Sequence, residues 1–277
     1  MTTDTAEARV GLTPLLGDWL STDGPTSSGF ARLTVAERDG AVRVRAFAGG
    51  DPAPRNWCDG PAVLHTTLGV AGSALTAAFD LGFLHTVVSA HHKGGILVVT
   101  TSNVFREAGE RTRADYWTRE FFHHSHSHSR CHPSDPNGTG SGRADDRPRA
   151  TGPLAALDVA PLVGSWLNFD RATTGIVHAE VAEQQGRLTV RLREADGSDW
   201  GALPAIPLAA DTAGGRAIGF RAEPQLGPEH GSRRIYLCSY LNRGLLTIDV
   251  HAATPGDPSA NVMYRAHFHR PEEQSAA

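Results

Sequence analysis

The strongest constraint on the fold is that the chain contains the same ordered set of segments twice. Residues 14–20 (PLLGDWL) return as residues 161–167 (PLVGSWL), 147 positions later. Three further pairs follow in the same order, at offsets of 146 to 149 positions: the turns at Gly40 and Gly186, the GILVV and GLLTI segments at Gly95 and Gly244, and the ends at 117–123 and 263–269. This period is too long for a solenoid repeat, so each copy is expected to be a domain with its own core.

These matches predict two homologous units, at 11–124 and 155–270. Between them, residues 125–153 are rich in Ser, Gly, Pro, Asp and Arg and contain almost no apolar residue. That composition is typical of a flexible linker.

Hydrophobic and polar residues alternate within each copy. In 41–46 the valines share one face and the arginines the other, and 187–193 repeats this pattern. A period of two predicts half-buried strands, and the Asp39-Gly40 and Gln185-Gly186 pairs favour tight hairpin turns before them. Further strands are predicted at 30–37, 62–68, 74–79, 84–91, 96–102 and 114–123 in the first copy, and at 176–183, 205–210, 216–222, 233–241, 245–252 and 261–269 in the second. Seven or eight short strands in about 110 residues predict an all-β fold of two tandem antiparallel up-and-down β-barrels.

A pair of residues that closes such barrels is also present. Each copy opens with Gly-x-Trp, containing Trp19 or Trp166, and has an arginine, Arg119 or Arg265, near its end. The first and last strands of a closed meander are neighbours, so the arginine guanidinium is expected to stack on the tryptophan indole and close one end of the barrel. This arrangement resembles the lipocalin, or broader calycin, superfamily. The alternative is that both tryptophans are core aromatic residues of another β-sandwich.

The resemblance implies a function for the barrels. Lipocalin-like proteins bind hydrophobic small molecules, and tandem lipocalin-like proteins include cyclases of natural-product pathways, pericyclases and carotenoid hydratases. The resemblance therefore implies a cyclase or isomerase of bacterial specialised metabolism that needs no cofactor. A non-catalytic carrier of a small ligand is the alternative.

Several polar residues on the predicted strands are candidates for catalysis. Tyr236 and Tyr240 share one face of the strand at 233–241, and His91 lies at the corresponding place in the first copy. Asp249 and His251 share a face of the next strand, where a carboxylate can orient an imidazole as a general base. The competing interpretation is that this face points to solvent.

Two further tryptophans occupy equivalent places in the copies. Trp57 and Trp200 are predicted to lie in a loop between strands. There they either line a barrel mouth and stack on a ligand or form a small hydrophobic cluster under the loop.

A histidine-rich run follows the first copy. It contains His124, His126, His128, Cys131 and His132, whose imidazole and thiolate groups suit zinc, copper or nickel. A catalytic metal site needs ligands fixed by surrounding contacts, and this run passes directly into the predicted linker. We therefore predict no dedicated metal site here, and keep a metal-handling role as an alternative function.

Charge and composition limit the partners. The net charge of −4 argues against nucleic acid as the main partner, because neutralising phosphates needs a concentrated positive surface. No stretch of 18 apolar residues indicates a membrane span, and the first twenty residues show no secretory signal. Three scattered cysteines, Cys58, Cys131 and Cys238, fit reduced thiols. We therefore expect a cytoplasmic protein whose partner is a hydrophobic small molecule.

Overall fold

In the part of the chain that the structure describes, the regular secondary structure is entirely β. A computed structural model describes residues 14–23, 30–48, 55–67, 70–106, 111–125, 154–227 and 231–271. Within these ranges there are seventeen strands and no helix. No described segment is a helix of the length and apolar character needed to cross a membrane. The chain divides into two compact units, residues 1–107 with 118–147 and residues 108–117 with 148–277.

The first unit is built from consecutive antiparallel strands: β1 (Gly17–Ser21), β2 (Phe30–Arg38), β3 (Ala41–Ala48), β4 (Arg55–Pro61), β5 (Val63–Thr67), β6 (Val70–Asp80), β7 (Leu84–Lys93), β8 (Ile96–Phe105) and β9 (Tyr116–His124). The first two residues of β9, Tyr116 and Trp117, belong to the second unit. Strands β1 to β4 pair in order, strands β5 to β8 pair in order, and β1 also pairs with β9. The first and last strands of this copy are therefore neighbours.

The second unit contains β10 (Gly164–Asn168), β11 (Ile176–Gln184), β12 (Arg187–Glu194), β13 (Asp199–Ala209), β14 (Ala217–Ala222), β15 (Arg234–Asn242), β16 (Leu245–Thr254) and β17 (Asp257–His269). Each strand pairs antiparallel with the next, and β10 pairs with β17. The eight strands therefore form a closed ring of hydrogen-bonded neighbours.

Local sequence explains the hairpins. Asp39 and Gly40 both have positive φ, at 53° and 74°, and Gln185 and Gly186 repeat this at 53° and 76°. Two successive residues of positive φ match the twist of the flanking strands, which is why these dipeptides connect β2 to β3 and β11 to β12. All the predicted strand segments overlap observed strands.

The prediction that Trp57 and Trp200 lie in a loop is wrong. Trp57 lies in β4 and Trp200 in β13, and both are buried. Nearby prolines favour a break in the strands, since proline cannot donate to a ladder. Strand β13 nevertheless runs through Pro204 and Pro207, which pair with Thr189 and Phe220.

The core of the second unit lies on the apolar face of its strands. Ile235 and Leu237 of β15 lie beside Ile248 and Val250 of β16, and Trp166 packs in the same cluster. In the first unit, the same side of the strands carries Trp19, Leu33, Val44, Leu75, Val88 and Val99. We call this side of each unit its interior face.

Candidate functional site

One end of the second unit is closed by a tryptophan and an arginine. The indole N–H of Trp166 donates to the Leu162 carbonyl oxygen at 2.9 Å, and the Arg270 guanidinium lies 4.5 Å from the Trp166 ring centroid. Arg270 also donates to the Pro161 carbonyl oxygen at 2.9 Å. The guanidinium crosses Gly164, where a Cβ atom would come within 2.8 Å of its Nη1. Glycine is needed there both for this approach and for its φ of 127°.

The first unit has the same arrangement with a different side chain. The indole N–H of Trp19 donates to the Leu15 carbonyl oxygen at 2.9 Å. The His124 imidazole packs edge-on against Trp19, with ring centroids 4.9 Å apart, and crosses Gly17, whose φ is 124°. His124 therefore occupies in this unit the place that Arg270 occupies in the second.

These contacts correct the predicted closure by Arg119 and Arg265. The Arg119 guanidinium lies 5.3 Å from the Phe121 ring centroid. Arg265 instead forms a bidentate ion pair with Asp249, donating from Nε to Oδ1 at 2.6 Å and from Nη2 to Oδ2 at 2.8 Å. Both arginines alternate with Phe122 or Phe268 along their strands, so they project from the face opposite the core.

The predicted pairing of Asp249 with His251 is likewise not formed, because the Asp249 carboxylate is held by Arg265. His251 lies opposite Tyr236 in the β15–β16 ladder, with ring centroids 5.7 Å apart. Tyr240 stacks on Trp117 of the same unit, with ring centroids 4.8 Å apart. The candidate residues of β15 and β16 thus share one face, but the carboxylate that would orient the imidazole is already engaged.

This face is not a solvent-exposed surface, which corrects the competing interpretation. Asp249 is 2% exposed and His251 is 1% exposed. Between Tyr236 and Tyr240 lies Cys238, whose burial raises the pKa of its thiol to about 12. At neutral pH this thiol is therefore protonated and a poor nucleophile.

His91 of β7 lies in the first unit and is half-buried between Ala74 and Val98 in register. It is the remaining residue of the predicted catalytic set, and its neighbours across the ladder are both apolar. In the described strands of the first unit, neither residue paired with His91 is a predicted catalytic residue.

The tryptophans predicted to bind ligand take different positions. Trp57 packs edge-on against Phe30 at 4.7 Å and Phe79 at 6.5 Å between ring centroids. Trp200 belongs to the closely packed core cluster of the second unit. The aromatic group of Phe30, Trp57 and Phe79 lies on the interior face of the first unit.

Beside that aromatic group lies a line of hydrogen-bonded side chains that sequence reasoning missed. The Thr86 hydroxyl donates to Asn103 Oδ1 at 2.8 Å, and Asn103 Nδ2 donates to Thr101 Oγ1 at 2.8 Å. The hydroxyls of Thr101 and Thr118 are 2.7 Å apart. Thr86, Thr101 and Asn103 are all buried. We call these four residues the interior polar line.

The second unit carries no such line among its corresponding residues. At the offset of 149 positions for β7 and β8, the second unit has Ile235 in place of Thr86, Val250 in place of Thr101 and Ala252 in place of Asn103. At the offset of 146 positions for β9, it has Tyr264 in place of Thr118 and Ala266 in place of Glu120. These residues pack in or against the hydrophobic core of the second unit. The run of four polar residues at 100–103 (TTSN) within an otherwise apolar strand was the available sequence signal.

Water reaches part of the interior face of the first unit. Thr118 and Glu120 are half-buried, although they alternate with Arg119 and project to the same side as the fully buried Phe122. Glu120 Oε2 accepts a hydrogen bond at 3.1 Å from the backbone N–H of Phe30, the first residue of β2. These two side chains therefore form a solvent-accessible polar edge of the interior face.

A separate groove of about 1150 Å³ lies in the second unit. It runs beside residues 154–160 and the ends of β12 and β13, and its wall includes Leu188, Pro204 and Ile206. Ile206 is partly exposed there. The wall of this groove combines apolar side chains with charged ones, among them Glu183 and Arg187.

Of the candidate metal ligands in the histidine-rich run, only His124 falls within the described residues, and it closes the first unit. His126, His128, Cys131 and His132, with the linker predicted at 125–153 apart from Ser125, lie outside them. Within the described residues no group of three or more His, Cys, Asp or Glu side chains is placed to hold a metal ion.

Comparisons of the chain with protein-family models, with curated proteins and with solved structures found no match.

Proposed function

We propose that the two units are lipocalin-like barrels derived from one ancestral domain by tandem duplication. Three matched features support this: the indole-to-carbonyl hydrogen bonds of Trp19 and Trp166, the positive φ at Gly17 and Gly164, and a closing side chain over each glycine. Such coincident local geometry at one sequence offset is expected of two copies of one domain.

We propose further that the first unit binds a hydrophobic small molecule against its interior face. The observation that carries this proposal is the half-exposure of Thr118 and Glu120 on a face that also carries the buried aromatic group and the rest of the interior polar line. Small-molecule sites are concave and mostly apolar, with a few placed polar groups. Phe30, Trp57 and Phe79 supply the apolar part of such a site, and the interior polar line supplies the polar part.

Titration with 1-anilinonaphthalene-8-sulfonate tests this assignment. The variant Thr118→Tyr introduces the side chain that the second unit carries at Tyr264, and it should weaken probe binding at least tenfold by filling the interior. The control Ile206→Glu alters the groove of the second unit and should leave the affinity unchanged. Equal affinity in wild type and a folded Thr118→Tyr variant, or loss of binding in Ile206→Glu alone, would refute the interior site.

The bound molecule is proposed to be cyclised or isomerised, as the family resemblance implies. A barrel that holds a flexible substrate in its reactive conformer lowers the barrier without a cofactor. A carrier without catalysis is the second candidate. The observation that favours the carrier is the ion pair of Arg265 with Asp249, which occupies the carboxylate expected to serve His251.

The compartment is proposed to be the cytoplasm. Cys58 and Cys238 are both buried as free thiols, which fits a reducing environment. A metal-handling role for the histidine-rich run would reside outside the described residues apart from His124. Metal analysis of untagged protein, before and after deletion of residues 124–132, distinguishes that role from small-molecule binding.

A further inference from the structure

The hydrogen bonds of the interior polar line leave donors unused. Asn103 carries two N–H groups, of which one donates to Thr101 and the other has no acceptor among the described residues. Thr101 already accepts from Asn103, so only one hydroxyl hydrogen is needed to join Thr101 to Thr118. The second hydroxyl hydrogen of that pair also remains available. The line therefore offers the interior one amide N–H and one O–H.

Each oxygen of the line already takes part in at least one hydrogen bond: Asn103 Oδ1 accepts from Thr86, Thr101 Oγ1 accepts from Asn103, and the hydroxyls of Thr101 and Thr118 are joined. The amide N–H and the O–H that remain take part in none among the described residues. A buried N–H without an acceptor is rarer in proteins than an oxygen that uses one of its two lone pairs. A buried donor without an acceptor is unfavourable, so the group that completes this line should be a hydrogen-bond acceptor.

The unused donors are close enough to meet on one atom. Two hydrogen-bonded steps, of 2.8 and 2.7 Å, lead from Asn103 Nδ2 through Thr101 to the Thr118 hydroxyl. The two donor atoms are therefore no farther apart than the sum of these two steps. Because each N–H or O–H donor reaches an acceptor at about 2.7–3.0 Å, one oxygen beside the line can accept from both. A carbonyl oxygen has the two lone pairs that this requires and no hydrogen of its own.

We propose that the interior polar line binds the carbonyl oxygen of an apolar ketone, enone or ester, with Asn103 and the Thr101–Thr118 hydroxyl pair as the two donors. This inference rests on the proposed binding of a small molecule inside the first unit and names the chemical class of that molecule. The aromatic group of Phe30, Trp57 and Phe79 contacts the hydrocarbon part of the same ligand.

A matched pair of fluorescent probes tests the proposal. 6-Propionyl-2-dimethylaminonaphthalene carries a ketone, and 6-propyl-2-dimethylaminonaphthalene has the same ring system without it. We expect wild type to bind the ketone about five- to thirtyfold more tightly, since each neutral hydrogen bond contributes about fivefold. The bound ketone should also show the red-shifted emission of a hydrogen-bonded carbonyl.

Three variants assign the preference to the named donors. Asn103→Ala, which introduces the residue of the second unit at that position, and Thr118→Val should each reduce the ketone preference about fivefold. Both should leave the affinity for the propyl compound within twofold, and Thr118→Ser should retain the preference. A purely structural role would weaken both probes together.

The outcomes separate this inference from the function on which it rests. Equal binding of both probes to wild type, or a ketone preference that survives Asn103→Ala and Thr118→Val, would overturn the carbonyl assignment while leaving interior binding intact. If neither probe binds wild type, both the carbonyl assignment and interior binding are overturned. Thr118→Val replaces only the hydroxyl by a methyl group, at a half-buried position, so it remains informative if Asn103→Ala fails to fold.

Discussion

The closure of the second unit predicts an energetic coupling between Gly164 and Arg270. Arg270→Ala removes a guanidinium–indole contact at 4.5 Å and a hydrogen bond to the Pro161 carbonyl oxygen. Arg270 is exposed, so the first contact contributes about 0.5–1 kcal/mol. The hydrogen bond contributes about 0.5–1.5 kcal/mol. We expect Arg270→Ala to lower the free energy of unfolding by about 2 kcal/mol.

Gly164→Ala should cost more, because it combines two effects. An alanine at a φ of 127° carries backbone strain of about 1–3 kcal/mol. Its Cβ would also lie 2.8 Å from Arg270 Nη1, so the guanidinium must leave its place over Trp166. Once Arg270 is displaced, removing it costs little more. The double variant should therefore be about 2 kcal/mol more stable than the sum of the single effects predicts.

A double-mutant cycle measured by urea unfolding checks this coupling. Exchange of the Trp166 indole hydrogen, which donates to Leu162, reports the same closure locally. Gly186→Ala is the control, because Gly186 also has positive φ but a Cβ atom added there would meet no other atom within 4 Å. Its effect should add to that of Arg270→Ala within about 0.5 kcal/mol. Additive behaviour at Gly164 would refute the contact between the arginine and the glycine backbone.

Three further predictions concern acid stability, thiol reactivity and the polar face of the second unit. Hydrogen bonds from Arg191 and from the Gly201 N–H lower the pKa of Asp199 to about 2. The stabilising contribution of Asp199 is therefore complete above about pH 4 and is lost as the pH falls towards 2. Asp199→Asn should make the melting temperature less dependent on pH in this range. In a Cys131→Ser variant, Cys58 and Cys238 should react with 5,5′-dithiobis(2-nitrobenzoate) only upon unfolding, and rapid labelling of native protein would contradict their burial. His251→Ala and Tyr240→Phe should leave the affinity for 1-anilinonaphthalene-8-sulfonate within twofold, whereas a tenfold loss would place the ligand on that face instead.

The period of two carries most of the fold prediction. Strands β3 and β12 bury valine and leucine on one face and carry arginine on the other, which is half-buried in β3 and exposed in β12, so their pattern depends on local burial alone. Their turns are equally predictable, since the residue pairs that adopt positive φ are few. The start of β13 at Asp199 escapes prediction because Pro204 and Pro207 interrupt the pattern without ending the strand.

The closing residues are harder to predict because they depend on register. Each copy has an arginine near its end, Arg119 in the first and Arg265 in the second, and this match favours the two arginines as the closing residues. In the structure, however, Trp19 lies opposite His124 in the β1–β9 ladder. A shift of one residue moves a side chain to the other face of a sheet. His124 and Arg270 are themselves 146 positions apart, the offset of the matched ends, so the repeat contains the signal. The chemical identity of Arg119 and Arg265 therefore predicts the wrong closing residues, whereas the matched positions of His124 and Arg270 identify the right ones.

The difference between the two interior faces is the feature that best locates function in this chain. Polar side chains in a core stabilise less than apolar residues of similar volume unless every donor and acceptor is paired. The second unit shows that the ring closes with Ile235, Val250 and Ala252 at these positions, so the fold does not need Thr86, Thr101 and Asn103. The first unit therefore keeps a less stabilising core that also leaves donors facing the interior. A ligand that accepts from those donors supplies the compensation that the protein's own described residues do not.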